Sequence, residues 1–252
     1  MTPPTVLFHV SDLHFGFEDR RALEWFVAAV ERERPAAVIC TGDLTMRGTP
    51  REFAMAREWL SALPVPVTLE PGNHDVPYYW YPLARAFHPW REYDMLEAAV
   101  ERDLGLEPVA GLERVAVVPL RTVAAAQWRL NWSKGRVANA ALDAALQGLA
   151  HNAGKGLKLV TCHHPLIDAD TVGTGSTRGG RRALAALARA GADAVLSGHV
   201  HDPFDLKVGT DAGTIRIIGA GTLSQRLRST APSYNRLEWS AAGGLTATAV
   251  TA

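Results

Sequence analysis

Five short polar clusters, each set just past an apolar run, constrain this chain more than any other feature. Asp12-Leu13-His14 follows residues 6–10, and Gly42-Asp43 follows residues 36–40. Gly72-Asn73-His74-Asp75 follows residues 65–69, His163-His164-Pro165 follows 157–161, and Gly198-His199-Val200-His201 follows 194–196. The runs are rich in Val, Ile and Leu, so they read as buried strands. Polar residues just beyond the carboxyl ends of parallel strands converge in an open α/β sheet, because ligand sites form there.

Between the runs the apolar period changes to that of helices. Leu23, Phe26, Val27 and Val30 share one face of a helix expected over 19–33. Thr49-Pro50-Arg51-Glu52 is a capping box with Pro at the first helical position, opening a helix to about residue 63. Helices are also expected over 139–149 and 181–190, the latter closed by Gly191, with a further strand over 115–120. This alternation predicts an α/β fold with a largely parallel, covered sheet. Beyond residue 203 the helices stop. Runs at 204–208, 214–218, 234–239 and 245–250 predict antiparallel strands that extend the same sheets or form a second layer. Residues 77–111 are helical in pattern and rich in aromatics, and read as an insertion within one domain spanning 1–252.

The residue types suit a metal site. Carboxylates, imidazoles and an Asn carbonyl oxygen suit Mn, Fe, Zn or Co. Residues two apart in extended chain point the same way, so Asp12 with His14, and His199 with His201, form pairs. Seven ligands are too many for one tetrahedral ion and suit two ions sharing a carboxylate.

The ordered set D-x-H, G-D, G-N-H-D, H-H-P and G-H-x-H resembles the calcineurin-like metallophosphoesterases, over the span from Asp12 to His201. That resemblance implies a β-sandwich of mixed sheets flanked by helices. It assigns Asp12, His14 and His201 to one divalent or mixed-valence transition metal ion. Asn73, His163 and His199 would hold a second, with Asp43 bridging. His74 would face the substrate phosphate, with Asp75 orienting it. Of the pair His163-His164 the family pattern makes His163 the ligand, a choice that spacing alone leaves open. The implied reaction is in-line attack on phosphorus by hydroxide held between the ions. Within the superfamily the pattern and compact length look most like bacterial class III cyclic-nucleotide phosphodiesterases and glycerophosphodiesterases, which implies a small-molecule phosphate ester as substrate. A phosphomonoesterase, a nuclease and a non-catalytic scaffold are the competing readings. The intact ligand set argues against a scaffold.

Other conspicuous residues read more simply. His9 is expected in the core or behind the ligands, and His88 and His151 on the surface. Cys40 and Cys162 are expected as small buried groups. Tyr78, Tyr79, Trp80, Tyr81, Phe87, Trp90 and Tyr93 of the insertion either pack onto the sheet or cap the site; packing is the favoured reading. Arg178, Arg181 and Arg182, in the loop at 173–182, read as a solvated helix start or as an extra anion contact. The segment 220–228, with Tyr234-Asn235, also resembles bacterial members of the family, without a role attached to it.

Composition narrows the partners. A formal net charge of zero argues against a general binder of nucleic acid or membrane surfaces. No apolar run approaches the roughly 18 residues of a membrane span. The start of the chain lacks the pattern of a secretory signal, and the two cysteines form no C-x-x-C pair, so a cytoplasmic location with reduced thiols is expected. Nothing in the pattern reads out an oligomeric state, although some relatives are homodimers.

Overall fold

The computed structural model describes residues 3–78, 81–104, 112–124, 133–169, 171 and 177–252. The strands are β1 (Thr5–Val10), β2 (Ala37–Cys40), β3 (Val67–Leu69), β4 (Val115–Pro119), β5 (Leu157–Thr161), β6 (Ala194–Ser197), β7 (Phe204–Thr210), β8 (Gly213–Gly219), β9 (Ser233–Ser240) and β10 (Gly244–Thr251). The helices are α1 (Arg20–Glu33), α2 (Pro50–Ser61), α3 (Pro82–Phe87), α4 (Arg91–Leu104), α5 (Asn139–His151) and α6 (Gly180–Arg189).

The strands form two five-stranded mixed sheets, ordered β10-β9-β1-β2-β3 and β4-β5-β6-β8-β7. The β-sandwich of mixed sheets flanked by helices that the resemblance implied is the one formed, and the parallel strands are divided between its two sheets. β1, β2 and β3 are parallel in the first sheet, and β4, β5, β6 and β8 in the second. The final strands pair antiparallel with one another, β7 with β8 and β9 with β10, as expected; β8 also lies parallel to β6, and β9 crosses back to lie antiparallel beside β1. Local pattern shows that a strand is buried on both faces, but not which strands share a sheet.

Strand alternation builds the layers. On β1, Phe8 and Val10 face helices α1 and α2, where they join Phe26, Val30, Phe53 and Leu60. Leu7 faces the other way and meets Leu157, Leu159, Leu196 and Ile218 of the second sheet, together with Ile39, Leu237 and Trp239. On β6, Val195 faces α5 and α6, while Ala194 and Leu196 point between the sheets. A period of two with both faces apolar places each sheet between a helical layer and its partner sheet.

Helix ends follow their sequence signals. Asp19 caps α1 by accepting from the N–H groups of Arg21 and Ala22. The capping box at α2 forms as expected, with Thr49 accepting from the Glu52 N–H and Glu52 reaching back. The insertion divides into two roles. Tyr93, Leu96 and Val100 of α4 enter the core beside α2, whereas α3 buries no residue and leaves Leu83 and Phe87 exposed. Tyr79 and Trp80 lie outside the described residues. Among the described residues no helix is long and apolar enough to cross a membrane.

Candidate metal centre

The five clusters meet at one edge of the sandwich. Val10 pairs with Cys40 and Cys40 with Leu69, so the segments leaving β1, β2 and β3 emerge at one level. Thr161 pairs with Leu196, which brings the segments after β5 and β6 to the same place from the other sheet. Backbone bonds continue past the strands: the Asp12 N–H donates to Gly42 O at 2.9 Å and the Gly198 N–H to His163 O at 2.9 Å.

The backbone here is strained. Among the described residues six non-glycine residues have positive φ, and five of them are Asp12, His14, Asp43, His199 and His201. The sixth, Arg34, closes α1. Such conformations cost about 1 kcal/mol or more each and persist where surrounding structure enforces them. Two glycines permit the close approach. A Cβ on Gly72 would lie 2.1 Å from Asp43 Oδ1, and one on Gly198 would lie 1.8 Å from Ser11 Oγ. The chain beside them can then donate inward, from the His74 N–H to Asp43 Oδ1 and from the His199 N–H to Asp12 Oδ2, both at 2.8 Å.

Three imidazoles are held by their Nδ1 atoms. His163 Nδ1 donates to Thr41 O at 2.8 Å, His14 Nδ1 to Thr45 O at 3.3 Å and His201 Nδ1 to Arg226 O at 2.5 Å. A carbonyl only accepts, so in the neutral rings Nδ1 carries the proton and Nε2 presents a bare lone pair. Those lone pairs face other acceptors. His14 Nε2 and His201 Nε2 are 3.3 Å apart, and Asp12 Oδ1 lies 3.6 and 3.1 Å from them. Asp12 Oδ1 is fully buried and accepts no hydrogen bond. On the far side of Asp43, His163 Nε2 is 3.2 Å from Asn73 Oδ1 and 3.4 Å from Asp43 Oδ2. His14 Nε2 lies 3.8 Å from the same Asp43 oxygen.

A buried set of lone pairs aimed at one another repels unless positive charge sits among them. The electrostatics agree. Burial alone would raise the Asp12 carboxyl, but His201 and His14 hold it well below the usual carboxylate range. Burial opposes charge on His163, yet Asp43 beside it lifts the imidazole to about 9. Burial and the neighbouring His163 lower His199 to about 3, which keeps its ring neutral. The pocket favours added cation, and its mixed nitrogen and oxygen atoms fit a divalent transition metal ion.

The structure separates the two adjacent histidines. His164 donates from Nε2 to Ser133 O at 2.9 Å and accepts at Nδ1 from Thr122 Oγ1 at 3.0 Å, so neither nitrogen is open. His163 is the one whose Nε2 enters the centre. Its ring lies 5.2 Å from that of His199, centroid to centroid.

His74 stands at the mouth, edge-on to His14 with centroids 4.9 Å apart. Its Nδ1 donates to Met46 O at 2.6 Å, and Arg226 Nη1 donates to its Nε2 at 3.0 Å. The expected orienting partner, Asp75, acts elsewhere. Its carboxylate accepts from the N–H groups of Leu44 (3.1 Å), Thr45 (2.8 Å) and Gly72 (2.8 Å) and from Thr45 Oγ1 (2.9 Å). It thereby latches the 72–75 turn to the segment after β2. A buried carboxylate takes donors wherever they surround it, and here they are backbone groups.

His9 ties β1 to its two neighbours within the first sheet, behind the ligands, with Nε2 3.0 Å from Thr41 Oγ1 and Nδ1 3.3 Å from Asn235 Nδ2. His88 and His151 are exposed, and Cys40 and Cys162 are buried free thiols. Tyr78 is the described aromatic beside the site, its ring 6.5 Å from His74. Arg178, Arg181 and Arg182 are exposed, and Arg182 donates to Asn139 Oδ1 at 2.7 Å. Arg226 was not among the expected site residues. The segment carrying it, 220–228, stood out only by resemblance.

Comparison with known proteins gives the family and the fold. A family model described as calcineurin-like phosphoesterase matches residues 5–203. A glycerophosphodiester phosphodiesterase, GpdQ of Enterobacter lignolyticus, is 42% identical over 81 residues, a match that covers 28% of this chain and 29% of that protein. Among solved structures, a dimetal phosphatase from Danio rerio superposes with a TM-score of 0.64 at 14% identity, covering 99% of both chains. GAP50, the anchor in the inner membrane complex of Plasmodium, gives 0.61 at 13% identity, covering 99% of this chain and 85% of that one. A purple acid phosphatase from yellow lupin gives 0.60 at 12% identity, covering all of this chain and 54% of that one. At such identities these likenesses describe the fold.

Proposed function

Since this chain belongs to the calcineurin-like phosphoesterase family, we propose that it is a dinuclear-metal hydrolase of small phosphodiesters, such as a glycerophosphodiester or a cyclic nucleotide. The observation that carries the reading is the buried convergence of imidazole Nε2 atoms and carboxylate oxygens around Asp43. Asp12, His14 and His201 would hold one ion, and Asn73, His163 and His199 the other, with Asp43 between them. When bound, the ions would supply Lewis acidity toward the phosphoryl oxygens and a nucleophile at neutral pH.

The chain's own groups do the rest. Backbone carbonyls of Thr41, Thr45 and Arg226 set the tautomers that turn Nε2 inward. Asp75 holds the 72–75 turn, so that Asn73 and His74 arrive together. His74, anchored through Nδ1, presents Nε2 at the mouth, where it can exchange a proton with the leaving oxygen. The partial likeness to GpdQ supports the diester preference. The two buried free thiols suit the reducing cytoplasm.

The test is turnover of bis-p-nitrophenyl phosphate beside its monoester, with the stripped protein reloaded with Mn. Diester cleavage that falls sharply in His74→Ala supports the reading. Preference for the monoester would make the protein a phosphatase. Two bound metals with no turnover of either would remove the hydrolase assignment for these substrate classes.

A further inference from the structure

The side chain of Arg226 reaches the mouth of the metal centre from a segment that belongs to none of the five clusters. Residues 220–232 join β8 to β9 and are fastened to the centre along their length. Thr222 Oγ1 donates to Asp12 O at 2.6 Å, and Ser224 Oγ accepts from the Arg226 N–H at 3.3 Å. The Gln225 N–H donates to Phe17 O at 3.1 Å. Beyond the arginine, Asp202 Oδ1 accepts from the N–H groups of Ser229 and Thr230, each at 3.0 Å. Asp202 is the neighbour of His201, so the same short segment carries a candidate ligand and the anchor of this loop.

Arg226 contributes in two separable ways. Its carbonyl oxygen fixes His201 through Nδ1. Its guanidinium lies over the site, with Nη1 3.0 Å from His74 Nε2 and 3.4 Å from His14 Nε2. Met46 Sδ, at 4.0 Å, is the other contact of that nitrogen. No carboxylate pairs with the guanidinium among the described residues. The guanidinium is a permanently charged fork held against imidazole nitrogens rather than against a protein carboxylate. Guanidinium binds phosphoryl oxygens through parallel N–H donors.

We propose that Arg226 is a substrate-binding residue whose guanidinium leaves His74 and donates to the non-bridging oxygens of the substrate phosphate. The inference rests on the hydrolase reading above and adds a residue to it. On this account the exchange also uncovers His74 Nε2 when substrate arrives, so substrate binding and readiness of His74 are linked. Charge that builds on those oxygens during attack strengthens the contact, which places its effect on kcat as well as on KM.

The experiment compares wild type, Arg226→Met and Arg226→Lys, all reloaded with Mn. Three quantities are read: bound metal by elemental analysis, inorganic phosphate affinity by calorimetry, and kcat/KM on bis-p-nitrophenyl phosphate. Both variants keep the carbonyl that orients His201, so metal content stays at the wild-type level. Phosphate affinity falls at least about tenfold in Arg226→Met, and kcat/KM falls about 100-fold, the size expected for one lost charge-stabilising donor. Arg226→Lys restores part of both, because it returns the charge without the fork. Phosphate affinity and kcat/KM within about threefold of wild type in Arg226→Met would overturn the proposal. So would loss of metal in step with activity in both variants, which would make Arg226 a support for His201. Wild-type protein that holds metal but hydrolyses nothing would instead remove the hydrolase reading, and phosphate affinity would still decide whether Arg226 binds the anion.

Discussion

His14 Nε2 and His201 Nε2 face each other at 3.3 Å, each ring held through Nδ1 on a backbone carbonyl. Nitrogens in that position, with Asp12 Oδ1 beside them, form a place where a bound cation would be held by both rings. Metal removal should therefore destabilise the fold as well as abolish activity. Ligand present at about 100 times its Kd stabilises by roughly 2.7 kcal/mol, and a chain of this length shifts by about 2–4 °C per kcal/mol. Chelation should lower the melting temperature by roughly 5–10 °C, and Mn should restore it. Thermal unfolding with and without chelator measures this, and an unchanged midpoint would contradict it.

Asp43 lies between the two halves of the centre, 3.8 Å from His14 Nε2 and 3.4 Å from His163 Nε2. Asp43→Asn keeps the shape and removes the charge on the proposed bridge. Bound metal should drop from two ions per chain to one or none, and turnover should fall by roughly three orders of magnitude or more, since positioning and electrostatics supply most of the rate. Elemental analysis beside a diester assay reads both. Full metal content in the variant would exclude Asp43 as the bridge.

Glu70 gives a stability prediction away from the ligands. It follows β3, is almost wholly buried, and accepts from Thr161 Oγ1 at 3.0 Å. Burial pushes its carboxyl up to about 8. Between its unfolded value near 4.5 and about 8 the native state binds the extra proton, so stability falls as pH rises through that window and levels off above it. Glu70→Gln removes this slope. The variant should match wild type near pH 4.5 and exceed it at pH 8 by on the order of 4 kcal/mol. Urea denaturation at the two pH values provides the comparison, and parallel pH profiles would show that Glu70 ionises normally.

At the start of α2, Thr49 Oγ1 accepts from the Glu52 N–H at 3.3 Å, and Glu52 Oε2 returns a contact to the Thr49 N–H at 3.1 Å and another to the Arg47 N–H at 2.9 Å. Thr49→Ala should cost about 1 kcal/mol and leave metal binding unchanged. A chemical denaturation midpoint that does not move would show that the Glu52 contacts carry the cap alone.

Strand and helix positions were legible because their signals are local. Residues 157–161 form a strand at the expected bounds, and Asn139 opens α5 as its apolar period predicts. The helical character of α3 and α4 was legible, while the packing of Tyr93 and the exposure of Phe87 were not, because one aromatic-rich pattern suits either fate. Division of the parallel strands between two sheets escaped local reading, since every backbone offers the same hydrogen-bonding edge. Asp75 shows the same limit. The family resemblance implied that it orients His74, and the fold surrounded it with N–H donors from Leu44, Thr45 and Gly72.

By itself the sequence determined which chemical groups this protein can bring together, since carboxylates, imidazoles and glycines after apolar runs are side-chain identities carried in order along the chain. Tertiary structure decided how those groups are aimed. The carbonyls of Thr41, Thr45 and Arg226 that turn each Nε2 inward belong to residues whose side chains do not announce the task. Arg226 reaches His74 across 152 positions of sequence. Such contacts depend on the register between β1, β2 and β9 and on the path of the loop before β9, and register is set by packing between distant segments rather than by any residue's own preference.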